Sequence, residues 1–328
     1  MIQIPDYDLF AFLSSALLRF TGSPESAFSV DPFRAGYFLR GGIKRVILNG
    51  SRSRRKPSLY RELFEPDKTP PIVALKERFR YGASVPRPIA LDTRGMRGRY
   101  RPGERFTFDI ILTGRLCRPQ VVSALIFAVE EMSRRKGIGG EKWHLRSVDS
   151  IGPGDAVRAI HDAQRGTFTH DLLLHRLEDM MQRNRAAHTL HVELASPLQL
   201  RRKGQIVTEL PFDLLLHALL TRLEMLQRYF CDRGETAATR EGVDALVAAA
   251  RGVQIRTSNL TWRAIPTPRE RSLGGLLGSI VYEGDFTPFL PYLSFGALVG
   301  LGKKTSFGLG RFTLCTGDEE ETREKRLP

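Results

Sequence analysis

The residues best suited to chemistry in this sequence are cations and hydroxyls framed by glycines. Near the end of the chain stands Gly300-Leu301-Gly302-Lys303-Lys304-Thr305-Ser306-Phe307-Gly308-Leu309-Gly310-Arg311. Glycines on both flanks permit positive φ and a close backbone approach, and Lys303 and Lys304 add positive charge, so the segment reads as a cradle for an anionic chain. Two nucleotide motifs fail on spacing. A phosphate-binding loop needs a glycine five positions before Gly302, where Ala297 stands, and a hydroxyl residue after Lys303, where Lys304 stands. A dinucleotide fingerprint needs a third glycine where the chain has Thr305.

A second group of cations lies early in the chain. Positions 34 to 56 hold eight basic residues and no acid, among them Arg40, Lys44, Arg45, Arg52, Arg54, Arg55 and Lys56. Such a run is either a solvated loop or, joined to a basic helix face, a track for phosphates. The whole chain supports the second reading. Residues 1 to 160 carry 28 Lys plus Arg against 16 Asp plus Glu, a balance of +12, whereas residues 161 to 328 carry 22 against 20, a balance of +2. Arginine dominates, and its planar fork suits phosphates and bases.

Other chemistries find little support. The first of seven histidines is His144. His188 and His191, three apart on an alternating segment, face opposite sides, and His191-x-Glu193 lacks further metal ligands. His161, His170 and His175 fall where periodicity is unreadable and stay open as site residues. Cys117, Cys231 and Cys315 form no CxxC pair and fit reduced cysteines of a cytoplasmic protein. No metal and no cofactor is expected. No apolar run approaches the roughly 18 residues of a membrane span, and Asp6 and Asp8 stand where a signal peptide would be basic.

The elements that must position these groups follow from periodicity. Residues 8 to 20 read as a first strand and 33 to 48 as a helix exposing Arg34, Arg40, Lys44 and Arg45. Residues 86 to 112 read as a hairpin with a basic tip, 120 to 135 as a helix ending at Gly137, and 143 to 148 as a strand. Strand, helix, two strands, helix, strand is the ferredoxin-like order, whose sheet face often carries RNA. A looser second copy follows: a strand from 188, a Leu-rich helix at 212 to 229, a short helix at 243 to 250, extended segments at 253 to 262 and 274 to 282, a helix at 287 to 298, the glycine loop, and a strand at 311 to 315. The expected class is α+β, two tandem ferredoxin-like (RRM-like) domains. The expected boundaries are 1–150 for a strongly basic N-terminal domain, 151–187 for a helical connector, 188–316 for a C-terminal domain with the glycine loop, and 317–328 for an acidic disordered tail.

Read together, Phe38-Leu39-Arg40-Gly41, Tyr60 with Leu63-Phe64, Pro86-Arg87-Pro88, Tyr100-x-Pro102-Gly103-Glu104, Gly137-Ile138-Gly139, Ser196-Pro197-Leu198-Gln199-Leu200, Leu273-Gly274-Gly275-Leu276-Leu277-Gly278 and the terminal Gly-x-Gly-x5-Gly-x-Gly make an ordered set. In that set the chain resembles the CRISPR-associated RAMP-superfamily endoribonucleases that process precursor CRISPR RNA. The resemblance implies two ferredoxin-like domains with RNA over a cleft and basic surface, and metal-independent attack of a ribose 2′-OH on the adjacent phosphorus. It implies CRISPR repeat RNA and processed guide RNA as partners, a possible CRISPR effector complex, no membrane, and a monomer or homodimer. RNA contacts are expected from Arg40, Arg52, Arg54, Arg55, Lys56, Arg269, Arg271, Gly300, Gly302, Lys303, Lys304, Gly308, Gly310 and Arg311.

The chain departs from that family in two places. Many members place a histidine on or near the first helix, and here Tyr37 and Lys44 match the remaining residue types, with Arg40 and Arg45 able to stabilise charge on phosphorus. The expected catalytic set is therefore Tyr37, Lys44 and Arg45, with core packing as the other reading of Tyr37. Prolines also interrupt the segment around Arg269 and Arg271. Without the early histidine, a RAMP subunit that holds CRISPR RNA without cutting it is the alternative function, and a general RNA-binding protein is a third.

Overall fold

The computed structural model describes residues 10, 12–50, 56–66, 85–96, 98–182, 186–231, 240–267 and 273–317. It divides into two compact units. The N-terminal unit comprises Ser14–His175 together with Lys304–Leu309; the C-terminal unit comprises the described residues of Arg176–Lys303 and of the flanking pieces Met1–Leu13 and Gly310–Pro328.

In the N-terminal unit, strand β1 (Ser14–Pro24) leads to helix α1 (Pro32–Asn49), the short helix α2 (Ser58–Phe64), strands β2 (Ile89–Asp92) and β3 (Phe106–Thr113), helix α3 (Pro119–Arg135) and strand β4 (Trp143–Ile151). These strands pair antiparallel in the order β2-β3-β1-β4, which is the ferredoxin-like arrangement. Alternation along β1 turns Leu18 and Phe20 into a core with Phe108, Ile110 and Val148, against Leu39 and Ile43 of α1 and Val122, Leu125 and Val129 of α3. Each such burial is worth about 1.5–3 kcal/mol relative to exposure. The strand begins at Ser14, later than the expected 8 to 20; just before it the Leu13 N–H bonds back to the Phe10 carbonyl at 3.0 Å, as in a turn.

The opposite face of this sheet carries charge. Register places Asp92, Asp109, Arg19 and Asp149 in one row across β2, β3, β1 and β4. Arg19 holds Asp109 through two bonds of 2.9 and 3.1 Å, and Arg94 holds Asp92. Three carboxylates in that row make it a poor platform for a phosphate chain.

The expected helical connector is a correction. Strand β5 (Val157–Asp162) pairs with β4, and Thr167–Phe168 pairs with β5, so the sheet continues beyond Ile151. Among the described residues the only α-helix between 151 and 187 is the short Leu177–Gln182. Within β5 only Ile160 is buried, so the alternation that marks a strand was nearly absent.

The C-terminal unit repeats the order with β6 (Thr189–Leu198), α4 (Phe212–Phe230), α5 (Arg240–Ala250), β7 (Gln254–Ala264), β8 (Gly274–Glu283), α6 (Leu290–Val299) and β9 (Phe312–Thr316). Its sheet runs β7-β8-β6-β9, again antiparallel. Phe212 packs edge-on against Tyr282, Phe286 and Phe289 at 5.2–5.3 Å, and the buried Tyr282 hydroxyl donates to the Leu210 carbonyl at 2.6 Å. Among the described residues no helix is long and apolar enough to cross a membrane.

Candidate functional site

Helix α1 starts where the sequence dictates. The Asp31 carboxylate accepts the Phe33 N–H at 2.9 Å and Pro32 occupies the first turn, where its missing N–H costs nothing. Ala35, Gly36, Leu39 and Ile43 turn inward. Spacings of three and four then bring Tyr37, Arg40 and Lys44 onto one stripe beside the buried face, whereas Arg45 stands about 100° around from Lys44 and is exposed. The structure thus groups two of the three expected catalytic residues with Arg40 and leaves Arg45 apart.

The tip of the glycine loop, Lys304–Leu309, belongs to this same unit. Arg40 Nε donates to Ser306 Oγ at 3.2 Å, and its guanidinium carbon lies 4.2 Å from the Phe307 ring centre and 5.4 Å from that of Phe64. Cation–ring contacts of this kind are worth about 0.5–2 kcal/mol and fix the guanidinium plane. Tyr37 lies nearly parallel to Phe307 with centroids 6.3 Å apart. The approach requires Gly36, since a Cβ there would sit 2.2 Å from the Phe307 carbonyl oxygen.

Beyond Arg40 the stripe meets a carboxylate. Glu65, just past the end of α2, accepts the Tyr60 hydroxyl at 2.9 Å on Oε1 and the Lys56 ammonium on Oε2, and Lys44 Nζ lies 3.7 Å from Oε1. The ammoniums of Lys44 and Lys56 stand 5.3 and 5.4 Å from the Tyr60 ring centre. Burial, then the neighbouring Arg40 charge, lower the Lys44 pKa; Glu65 opposes them. The bond from Lys56 holds Glu65 below the usual carboxylate range. Burial and the bond to Glu65 push the Tyr60 phenol up. Arg87, whose Nε donates to the Phe64 carbonyl at 2.9 Å, adds to the positive field at Lys44. The result is a half-open cluster of cations with one ammonium biased toward losing its proton. Sequence reasoning missed Glu65 and Ser306; the hint for Glu65 was an acid following soon after the acid-free run of positions 34 to 56.

The glycine loop departs from its expected role. Gly300, Gly302, Gly308 and Gly310 all have positive φ, but what approaches Gly302, Gly308 and Gly310 is the chain itself. At Gly310 (φ 69°) a Cβ would lie 1.8 Å from the Leu301 carbonyl oxygen. Gly302 packs on Gln199, whose carbonyl accepts the Lys303 N–H at 3.1 Å. Thr305, Ser306 and Phe307 are buried, so the centre expected to meet an anion is a plug. Lys303 remains exposed, and Lys304 reaches over Phe307 at 5.3 Å.

Arg311, expected at the RNA surface, is instead buried. Its Nη1 donates to the Leu298 carbonyl at 2.7 Å, and Arg222 Nη2 donates to that of Val299 at 3.2 Å, so two guanidiniums cap the C-terminal end of α6. Burial and the Arg311 charge lower the Arg222 pKa to about 10. Arg52, Arg54, Arg55, Arg269 and Arg271 lie outside the described residues. Of the open histidines, His175 donates from its ring to the Ile151 carbonyl at 2.9 Å and His161 Nδ1 contacts the Thr167 carbonyl at 3.1 Å. Among the described residues no group of three or more His, Cys, Asp or Glu could hold a metal ion.

Residues 192–312 match the family model described as CRISPR-associated endoribonuclease Cas6. A second model, described as an N-terminal domain, matches residues 13–173. Several solved structures resemble the chain over most of its length. A Cas6 with one histidine replaced by alanine is 21% identical with a TM-score of 0.51, covering 93% of this chain and 100% of its own. A Thermus thermophilus Cas6 is 12% identical with a TM-score of 0.55, covering 92% and 99%. A chain of a partial Cas6-RT-Cas1–Cas2 complex is 14% identical with a TM-score of 0.57, covering 94% of this chain and 47% of that one. At these identities the likeness establishes the fold, two tandem ferredoxin-like units. No curated protein matches the sequence significantly.

Proposed function

We propose that this protein is an endoribonuclease that cleaves CRISPR repeat RNA and so matures guide RNA. The observation that carries the reading is the Cas6 family match over residues 192–312. One structural relative was solved as a Cas6 product complex, with a TM-score of 0.54 at 11% identity. In the reaction the ribose 2′-oxygen bonds to the adjacent phosphorus and the bond from phosphorus to the 5′-oxygen breaks, leaving a 2′,3′-cyclic phosphate and a 5′-OH. No water and no metal enter the balance.

The Lys44 ammonium donates a proton to the departing 5′-oxygen, since burial and Arg40 make it a stronger acid than an ordinary lysine. Arg40, held by Ser306 and Phe307, faces the charge that develops on the phosphoryl oxygens. Tyr37 orients the 2′-hydroxyl, whose proton leaves to solvent. Lys56, Lys303 and Lys304 contact flanking phosphates, with Arg45, Arg52, Arg54, Arg55, Arg269 and Arg271 as further contacts. The nucleophile comes with the substrate, so proton transfer worth about 10²–10⁴ and one oriented guanidinium suffice.

Incubating the protein with repeat RNA in EDTA, beside RNA carrying one 2′-deoxy sugar at the cut site, tests the reading. Cleavage of the first and not the second is expected; cleavage of both removes the mechanism. The second reading, a RAMP-type subunit that binds without cutting, is favoured by the absence of histidine before His144. Tight binding with no cleavage would establish it.

A further inference from the structure

Lys44 and Tyr60 converge on one oxygen of Glu65. Oε1 accepts the Tyr60 hydroxyl at 2.9 Å and lies 3.7 Å from Lys44 Nζ, while the other oxygen is held by Lys56. From the geometry we infer that Glu65 is a positioning residue for cleavage: its carboxylate holds the Lys44 ammonium in place and favours its protonated form. This rests on the reading of Lys44 as the proton donor.

The placement follows from short-range structure. Tyr60 and Glu65 are five apart, and α2 ends between them, so the chain past Phe64 can turn the carboxylate back toward its own helix. Tyr60 is buried with only its hydroxyl directed at Glu65, and Phe64 beneath packs against the Arg40 guanidinium. Glu65 is thereby tied to the element that carries Arg40 and Lys44. Among the described residues the other charges facing Lys44 are positive: Arg40 from its own helix, Lys56 from the segment before α2, and Arg87 from the segment before β2. Among the described residues Glu65 is the carboxylate that acts on Lys44, and the groups facing Glu65 itself are Lys56, Tyr60 and Lys44. Without it, the three cations would act on Lys44 unopposed and lower its pKa further, so that less of it would carry the proton the leaving oxygen needs as pH rises.

The sign of the effect is fixed. An anion beside an ammonium favours the protonated form, so removing the anion lowers the Lys44 pKa further. A rate that needs protonated Lys44 falls on its alkaline side at the Lys44 pKa, and that limb must move to lower pH. A shift of about one pH unit, equivalent to about ten-fold in rate on the alkaline side, is the expected size.

Single-turnover cleavage of repeat RNA is measured from pH 5.5 to 10 for the parent protein, Glu65→Gln, Glu65→Asp and Lys44→Ala, with RNA affinity measured in parallel. Gln keeps an acceptor for Tyr60 but removes the charge. The inference expects the alkaline limb to move down in Glu65→Gln and to recover in Glu65→Asp, with affinity unchanged within about two-fold. If Lys44→Ala abolishes cleavage and the limb of Glu65→Gln stays in place, Glu65 has no such role while the Lys44 reading survives. If Lys44→Ala cleaves like the parent, the Lys44 reading fails and the inference with it. Loss of affinity in Glu65→Gln with an unmoved limb assigns Glu65 to RNA binding and overturns the proposal.

Discussion

Arg40 and Phe307 meet as cation and ring, 4.2 Å from guanidinium carbon to ring centre, and Ser306 beside the ring accepts the Arg40 Nε–H. The arginine comes from the first helix and its holder from the glycine loop, 266 positions away in the case of Ser306. The loop therefore acts on the site by fixing a side chain.

Loosening that contact should slow chemistry more than binding. Phe307→Leu keeps an apolar plug but removes the ring face, and single-turnover cleavage should fall about ten-fold while RNA affinity changes less than about three-fold, a pattern expected when a transition-state contact is lost. Equal losses in rate and affinity would mean that Arg40 serves binding alone. Filter binding and single-turnover kinetics on the same RNA separate the two.

Lys44→Ala and Arg45→Ala should differ sharply although the residues are adjacent. The first removes the proposed proton donor and should lower the cleavage rate by about 10²–10⁴. The second removes an exposed charge about 100° around the helix and should leave the rate within about two-fold at low salt. Comparable losses would place the chemistry elsewhere on α1.

Arg311 should behave as a core residue. Arg311→Ala strips the bond to the Leu298 carbonyl and empties a buried site, so urea unfolding should show a loss of about 2–4 kcal/mol. RNA affinity of the folded fraction should stay unchanged. Retained stability with weakened RNA binding would restore its expected role as an RNA contact.

His175 gives the N-terminal unit a pH dependence. Burial lowers its pKa below the ordinary 6.5, so below that value the unfolded chain binds more protons than the folded one. Stability is full above pH 6.5 and declines as pH falls through and below it. The thermal midpoint should drop between pH 7.5 and 5.5, and His175→Gln should flatten part of that drop in a pH series of melts.

Much of the fold was legible in the sequence, for identifiable reasons. Helices α1 and α4 announced themselves through apolar spacing. The β5 region was not legible because a strand exposed on most positions has no alternation to read. The glycine loop was recognised as a place of close approach, but glycine spacing cannot distinguish an approach by a ligand from one by Gln199 or Gly36 of the same chain. Lys44 and Arg40 could be named from their helix, whereas Glu65 gains meaning only once α2 folds back beside α1. Arg311 read as surface because arginine usually is, and two carbonyls at the end of α6 outweighed that prior for Arg311 and Arg222.

The six residues Lys304–Leu309 that complete the N-terminal unit leave the ribosome long after Ser14–His175. During synthesis that unit must wait, its Phe307 socket open, while more than a hundred further residues are made, which at about 5–20 residues per second is several seconds at least. The order of manufacture thereby delays the fixing of Arg40 until position 307 has been made, and a nascent chain stopped before position 304 holds the arginine without its clasp.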